Sequence, residues 1–453
     1  MESILRAVVG IAFFLAVAWL LSNNKRKLNV RIIVGGLLLQ IVLAFVILKT
    51  DPGRKSLESV SNGVAKFLSM SNKGAEFVFG PVTQWRYTTD EKGVPDGNQP
   101  IEMYPHFLYD RGLDHLSEEQ RGNATEEARS DGNQWGITFA FRALPTIIFF
   151  SAVMAVLYYL GIIQVVVSVM ARFMMWAMRV SGSESLSMAA NVFVGQTEAP
   201  LVVKPYIKGM TDSEVMALMT GGFATIAGSV LAAYIGFLGS DYAGHLLAAS
   251  FMSAPAAFVL AKIMVPETEE SETQGKAKLD LPRNGANLLD AVAGGTTDGL
   301  RLALNVGAML IAFIALMALI DWPLSAITVG EDPLSLQRIF GWVFSPVAWL
   351  MGVPWDDCAL FGSLLGTKIG VNEFVAFATL GDVGPQMSEK ARIMGAYALC
   401  GFANFASIGI QIGGISALVP DRRKDLARLA LRAMLAGAMA SWMTATIAGA
   451  FIG

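Results

Sequence analysis

GFATIA at residues 222–227 and GFANFA at residues 401–406 are two copies of one hexapeptide, and they decide how the chain is organised. Gly195-Gln196-Thr197-Glu198 lies upstream of the first copy and Gly370-Val371-Asn372-Glu373 upstream of the second. A Ser-Glu pair falls between in both, at Ser213-Glu214 and Ser388-Glu389. Each half therefore reads as a short apolar limb, Gly-x-polar-Glu, a second limb, Ser-Glu, a long helix with a small polar centre, and a final helix. Those centres hold Thr225, Gly228 and Ser229 in one half and Asn404, Ser407 and Gly409 in the other. Glycine costs a helix about 1 kcal/mol relative to alanine. Helices interrupted at both centres are expected.

Composition sets the solvent. Of 453 residues, 54% are hydrophobic and 16% charged, against about 25% charged in soluble domains. Mean hydropathy is +0.51. A disordered chain, a disulfide scaffold and an ordinary soluble enzyme are excluded, leaving a chain largely solvated by lipid. A net charge of −3 argues against nucleic acid as partner. Cys358 and Cys400 offer no zinc spacing, and His106, His115 and His245 are scattered.

Runs free of Asp, Glu, Lys and Arg cover 7–24, 32–48, 143–171, 215–240, 242–261, 302–320, 339–355, 393–420 and 433–453. Hydrocarbon takes roughly 17–25 apolar residues to cross, and backbone in lipid must satisfy itself as helix. The run 339–355 carries Pro346 and Pro354 and reads as partly interfacial. The runs 185–197 and 358–367 are too short to span, and they end at the carboxylates or lysine of the two tips, Glu198, Lys368 and Glu373. They read as re-entrant limbs. Basic residues mark the inner face: Lys25, Arg26, Lys27 and Arg31, then Arg172, Arg179, Lys204 and Lys208, then Lys276, Lys278 and Arg283, then Arg422, Arg423, Lys424 and Arg428. The link Gly239–Gly244 has none and reads as outside. Eight spans with both termini outside satisfy these marks. The basic cluster follows the first apolar run rather than preceding it, which argues against a cleaved signal peptide.

On this path the first pair of limbs enters from inside and the second from outside, an inverted repeat. Such repeats belong to secondary transporters, whose sites lie near the midplane where broken helices free their backbone groups. Residues 51–135 begin amphipathic and continue through 88–131 with 11 acidic and 4 basic residues, an interfacial helix and a solvated outside insertion. Asn123-Ala-Thr within it matches a glycosylation sequon, a weak pattern.

The polar groups expected at the midplane are Asn191, Gln196, Thr197, Glu198, Thr225, Asn372, Glu373, Asn404 and Ser407. Ionisable groups at that depth default to function, with an ion pair to Lys368 or Lys204 as the structural alternative. No arginine fork is present for a phosphate or carboxylate. Amides, hydroxyls and carboxylates suit a neutral polyhydroxyl or nucleobase ligand, with Phe402 as an apolar wall. Asn191 and Thr225 offer oxygens to Na⁺, with the carbonyls of Val194 and Ile226 completing a shell. A proton on Glu198 or Glu373 is the competing coupling.

GQTEAPLVVKPYI (195–207), GTKIGVNEFVAF (366–377), FAFRALPTIIFFSA (139–152) and GFANFASIGIQIGG (401–414) resemble the signature segments of the concentrative nucleoside transporter family. The likeness covers nearly the whole chain except roughly 86–134. The resemblance implies an all-α polytopic membrane protein with eight transmembrane helices plus two opposed re-entrant hairpins, assembled as a homotrimer. It implies ion-driven import of nucleosides by elevator-like movement, in a bacterial inner membrane, and no enzymatic activity. It implies Gln196, Thr197 and Glu198 near the nucleobase, and Val230 and Phe402 flanking it. Asn372, Glu373, Asn404 and Ser407 would hold the ribose, and Asn191, Val194, Thr225 and Ile226 would hold sodium. Thr225 departs from the serine expected in close sodium-coupled relatives, but the hydroxyl is kept. Sodium is favoured over the proton, and purine or pyrimidine stays open.

The implied organisation is scaffold helices 1 and 2 in 1–50, the interfacial helix and insertion in 51–135, and scaffold helix 3 with a connector in 136–180. The first transport repeat follows in 181–264. A cytoplasmic loop, scaffold helix 6 and an outside interfacial segment fill 265–352, and the second transport repeat fills 353–453. The rivals are a transporter of another neutral solute, such as a sugar or amino acid, and a channel or receptor indifferent to an ion gradient.

Overall fold

The computed structural model describes residues 2–79, 85–89, 95–102, 144–274, 286–330 and 332–452. Asn123, His106, His115, Lys276, Lys278, Arg283 and most of the expected insertion lie outside the described residues.

Helix α1 (Glu2–Leu20) and α2 (Val30–Lys49) come first, the second capped by the Asn29 side chain on the Ile32 N–H. Helix α3 (Asp51–Phe79) is the expected amphipathic segment, and its Phe67 packs on Phe149 and Phe150 at centroid distances of 4.7 and 5.8 Å. A short antiparallel pair, β1 (Trp85–Thr89) and β2 (Pro95–Glu102), follows. The run 143–171, expected as one span, is instead two helices, α4 (Leu144–Tyr159) and α5 (Ile162–Met178), bent by 74°. Gly161 makes the corner at φ +80°, a conformation that strongly favours glycine.

The first repeat comprises α6 (Gly182–Asn191), a tip, two single turns α7 (Ala199–Val202) and α8 (Lys204–Ile207), then α9 (Asp212–Ala224), α10 (Gly228–Leu238) and α11 (Ala243–Met264). Pro200 and Pro205 fall in the first turns of α7 and α8. Proline lacks the N–H a continuing helix needs, so this limb is segmented. Helix α12 (Leu288–Leu324) and α13 (Leu336–Leu350) separate the repeats. The second repeat matches piece for piece: α14 (Cys358–Gly370), α15 (Glu373–Val383), α16 (Glu389–Leu399), α17 (Phe405–Leu418) and α18 (Arg423–Phe451).

Among the described residues four helices are long and apolar enough to cross a membrane: α2, α11, α12 and α18. The bent pair α4–α5 makes a fifth candidate. The runs 215–240 and 393–420 have the length to span but are each broken, as α9–α10 and α16–α17. Burial separates inner from outer helices. In α11 and α18, 89% and 83% of the apolar window is buried, against 22% in α2 and in α12. The two repeats thus form an inner bundle, with α2 and α12 mostly exposed on its outside.

Basic segments gather on one face. The Asn23 N–H donates to the Met264 carbonyl at 2.9 Å, Arg428 pairs with Asp212 at 2.7 Å, and Lys208 lies 3.8 Å from Asp421. On the other face the Gly244 N–H donates to Ser61 Oγ at 3.1 Å. The base of the first repeat is a buried polar knot. Lys262 pairs with Glu184 at 2.6 Å, both side chains 3% exposed. Glu214 accepts from Ser181 at 2.5 Å, Ser271 at 2.6 Å and Ser183 at 3.0 Å.

Candidate transport site

The two hexapeptides meet at the breaks. Helix α9 ends at Ala224, with Thr225 as its extended C-cap, and α10 starts at Gly228; α16 ends at Leu399 and α17 starts at Phe405. Gly401 sits at φ +97°, and a Cβ there would lie 2.5 Å from the Phe223 carbonyl oxygen. Only glycine allows both that conformation and that approach. The second break is therefore packed directly against the first, Gly401 on Phe223 and Ala224.

A broken helix exposes carbonyls that must be satisfied. Lys368 does this for α16, donating to the carbonyls of Ala398 and Cys400, each at 2.8 Å. It is fully buried, and a cation suits a helix C-terminus. Ser441 of α18 also donates to the Cys400 carbonyl. Among the described residues neither Glu373 nor Glu198 makes an ion pair within 4.0 Å, so the alternative of a structural pair with Lys368 or Lys204 is not realised.

At the second tip Asn372 caps α15, its Oδ1 accepting from the Val375 N–H at 2.9 Å. Its buried Nδ2 has no hydrogen-bond partner, leaving a donor to spare. Glu373 is buried. Its Oε2 accepts from Asn404 Nδ2 at 2.6 Å and its Oε1 from the Tyr234 hydroxyl at 3.3 Å. Asn404 is itself fixed, because its Oδ1 caps α17 by accepting from the Ser407 N–H at 2.8 Å. One amide thus orients the carboxylate and starts the helix.

At the first tip Gln196 donates through Nε2 to Ser407 Oγ at 3.3 Å, and its Oε1 accepts from Gln411 at 3.0 Å. Gln411 also donates to the Met219 carbonyl at 3.1 Å. Gly222 makes room for this bridge, since a Cβ there would lie 2.7 Å from Gln411 Nε2 and 2.9 Å from Gln196 Cβ. The Glu198 side chain folds over Gly195, and its carboxylate accepts no hydrogen bond from the described residues.

Between the tips is a cavity of about 180 Å³. Gln196, Thr197, Glu198, Val230, Glu373, Phe402, Asn404 and Ser407 all line it, whereas Asn372 does not. Leu302, Asn305, Val306 and Met309 of α12 form an opposite wall, with Phe374 and Ile410. The N-termini of α15 and α17 open onto the same space, at Glu373 and Asn404. The chamber offers both donors and acceptors beside apolar walls, which a ring bearing hydroxyls requires.

The four residues expected to hold a cation lie at the first tip and first break. Asn191 is 1% and Thr225 2% exposed. Asn191 Nδ2 donates to the Ser187 carbonyl at 3.0 Å, while its buried Oδ1 has no partner. The Thr225 hydroxyl donates to the Gly221 carbonyl at 2.9 Å, which leaves its oxygen lone pairs unused by that bond. No hydrogen bond among the described residues ends on the carbonyl of Val194 or Ile226. The Gly228 N–H holds tip to break by donating to the Phe193 carbonyl at 3.0 Å. A buried amide oxygen without a partner and two carbonyls that accept nothing are oxygen donors of the kind a hard cation takes.

Sequence reading missed Tyr234, Gln411 and the α12 wall. Tyr234 and Gln411 sit within long apolar runs, where a polar side chain can be located against a partner only once the helices are packed. Asn305 was a lone amide in 302–320 and carried the one usable signal.

Family models described as Na+ dependent nucleoside transporter N-terminus and C-terminus match residues 9–82 and 245–449. One described as nucleoside recognition matches residues 140–241. An uncharacterized transporter of Haemophilus influenzae is 41% identical, over 100% of this chain and 98% of its own length. Nucleoside permease NupC of Helicobacter pylori is 37% identical, again over 100% and 98%. Sodium/nucleoside cotransporter 1 of Rattus norvegicus is 40% identical over 97% of this chain, which spans 62% of that longer protein. The structure of CNTnw in an inward-facing substrate-bound state superposes with a TM-score of 0.83 at 38% identity, covering 100% of this chain and 98% of that one. A CNTnw variant in an outward-facing state gives the same values. With models covering most of its length and full-length relatives at this identity, the chain belongs to the concentrative nucleoside transporter family and is a transporter, not an enzyme.

Proposed function

We propose that this protein imports nucleosides by sodium-coupled symport across a bacterial inner membrane. The observation that carries the proposal is the cavity itself. Glu373, fixed by Asn404 and Tyr234, and Gln196, bridged to Ser407 and Gln411, face one chamber from opposite repeats. In this reading Glu373, Asn372, Asn404 and Ser407 take the ribose hydroxyls. Gln196, Thr197 and Glu198 read the base between Val230 and Phe402. Charge-assisted bonds from ribose to Glu373 are roughly twice as strong as neutral ones.

The limbs α6 to α8 and α14–α15 act as two opposed re-entrant hairpins of an inverted repeat, within eight transmembrane helices. They ride in a transport domain that moves as an elevator against a trimeric scaffold that includes α12. The relative CNTnw has been solved both inward-facing and outward-facing, as alternating access requires. Sodium on Asn191, Val194, Thr225 and Ile226 ties the first tip to the first break and so raises nucleoside affinity. By linkage the nucleoside raises sodium affinity by the same factor.

Proton coupling is the second reading, favoured by one observation: Glu373 is a buried carboxylate with no cation within 4.0 Å among the described residues. Uridine uptake into proteoliposomes, with an inward Na⁺ or an inward H⁺ gradient imposed separately, decides between them. Accumulation driven by Na⁺ alone is expected. Accumulation driven by H⁺ alone would move coupling to the carboxylate, and none under either would remove the substrate assignment.

A further inference from the structure

A second cavity, of about 600 Å³, lies away from the transport site, where the basic end of α2 meets the C-terminus of α5. Its walls are apolar, with Leu38 and Val42 from α2 and Phe173 and Trp176 from α5. Leu38 is 62% and Trp176 74% exposed, so the groove opens sideways from the bundle. Arg31 and Arg179 stand at its rim. Both are exposed, neither makes an ion pair or side-chain hydrogen bond among the described residues, and no acidic residue lines the groove.

Arg179 carries a second signal. It is the one non-glycine residue with positive φ among the described residues, at 55°. It ends α5 in the left-handed conformation, its N–H donating to the Met175 carbonyl at 2.9 Å. Glycine is the usual residue at such a helix end, and a side chain there is strained. Strain of this kind is kept where the side chain has work to do.

We infer that this groove binds one anionic phospholipid, its phosphate on Arg31 and Arg179 and an acyl chain along Leu38, Val42, Phe173 and Trp176. The groove sits on the face where basic segments gather, the side on which anionic lipids are read by paired arginines and interfacial tryptophan anchors the chain. Guanidinium forks match phosphate oxygens in a way that a zwitterionic headgroup, carrying its own cation, satisfies poorly. Helix α5 leads through Ser181 directly into α6 and the first tip. The lipid would therefore clamp an outer helix to the element that carries half of the transport site.

Thermal unfolding of the purified, delipidated full chain in detergent tests this. Phosphatidylglycerol is expected to raise Tm by several degrees, and phosphatidylcholine or inorganic phosphate by less than one degree. The gain should be lost in Arg31→Gln/Arg179→Gly, in which the left-handed position is relaxed and folding is eased. Uridine-dependent stabilisation retained in that variant would show that it is folded. An equal gain from phosphatidylcholine, or an undiminished phosphatidylglycerol gain in the folded variant, would overturn the assignment. So would an equal effect of inorganic phosphate, which would mark a plain anion site.

Discussion

The two repeats share a plan but are stiffened at opposite ends. In the first, the base is locked by the Lys262–Glu184 pair and by hydroxyls converging on Glu214, while the Glu198 carboxylate at the tip accepts no bond from the described residues. In the second, the base is joined by Ser388 donating to Asp357 at 2.5 Å, while the tip carboxylate Glu373 is held from two sides. The difference teaches that the carboxylate of the second tip is held in place, whereas at the first tip only Gln196 is held and the Glu198 carboxylate is left to adjust. Preorganised groups lose little on binding, whereas a free side chain must be ordered at that moment.

The sharpest way to break this comparison is at the first base. Lys262→Met strands Glu184 in a buried site, and breaking such a pair costs about 3–5 kcal/mol. Thermal unfolding should show a large fall in Tm, much of it restored in Glu184→Gln/Lys262→Met. A fall of under one degree in the single variant would mean the knot anchors nothing.

The next largest effect belongs to the second tip. Glu373→Gln and Asn404→Ala each leave buried groups unpaired, at about 1–3 kcal/mol per group. Uridine uptake at equal surface expression should fall roughly 100-fold for Glu373→Gln, where two ribose bonds are at stake. Normal uptake by both variants would sink the ribose assignment. The smallest effect is expected at the first tip. Glu198→Gln keeps the shape and removes a charge that no side chain among the described residues holds, so uptake should fall only about 5–10-fold, the low end of one group's worth. A loss as large as that of Glu373→Gln would erase the distinction between the tips.

Much of this was legible in the sequence because the repeat is short-range. GFATIA and GFANFA mark the breaks, and Gly-x-polar-Glu marks the tips, since glycine and carboxylates at membrane depth have few structural excuses. Eight of the nine expected ligand-binding side chains line one cavity, and Asn372 caps α15 beside it. What escaped reading was set by packing. Tyr234 and Gln411 gain meaning only from the Glu373 and Gln196 they touch across the bundle. Lys368, read as a possible functional or paired charge, proves to cap the carbonyls of a helix broken far away in sequence. The corner at Gly161 was hidden inside an unbroken apolar run, because hydropathy reports lipid solubility and not direction.

Calorimetric titration of uridine into the purified protein, in Na⁺ and in choline, tests the central claim most directly. Uridine should bind at least about 10-fold more tightly in Na⁺, a coupling of about 1.4 kcal/mol. That gain should vanish in Asn191→Leu. Equal affinity in Na⁺ and choline for the unaltered protein would contradict the account.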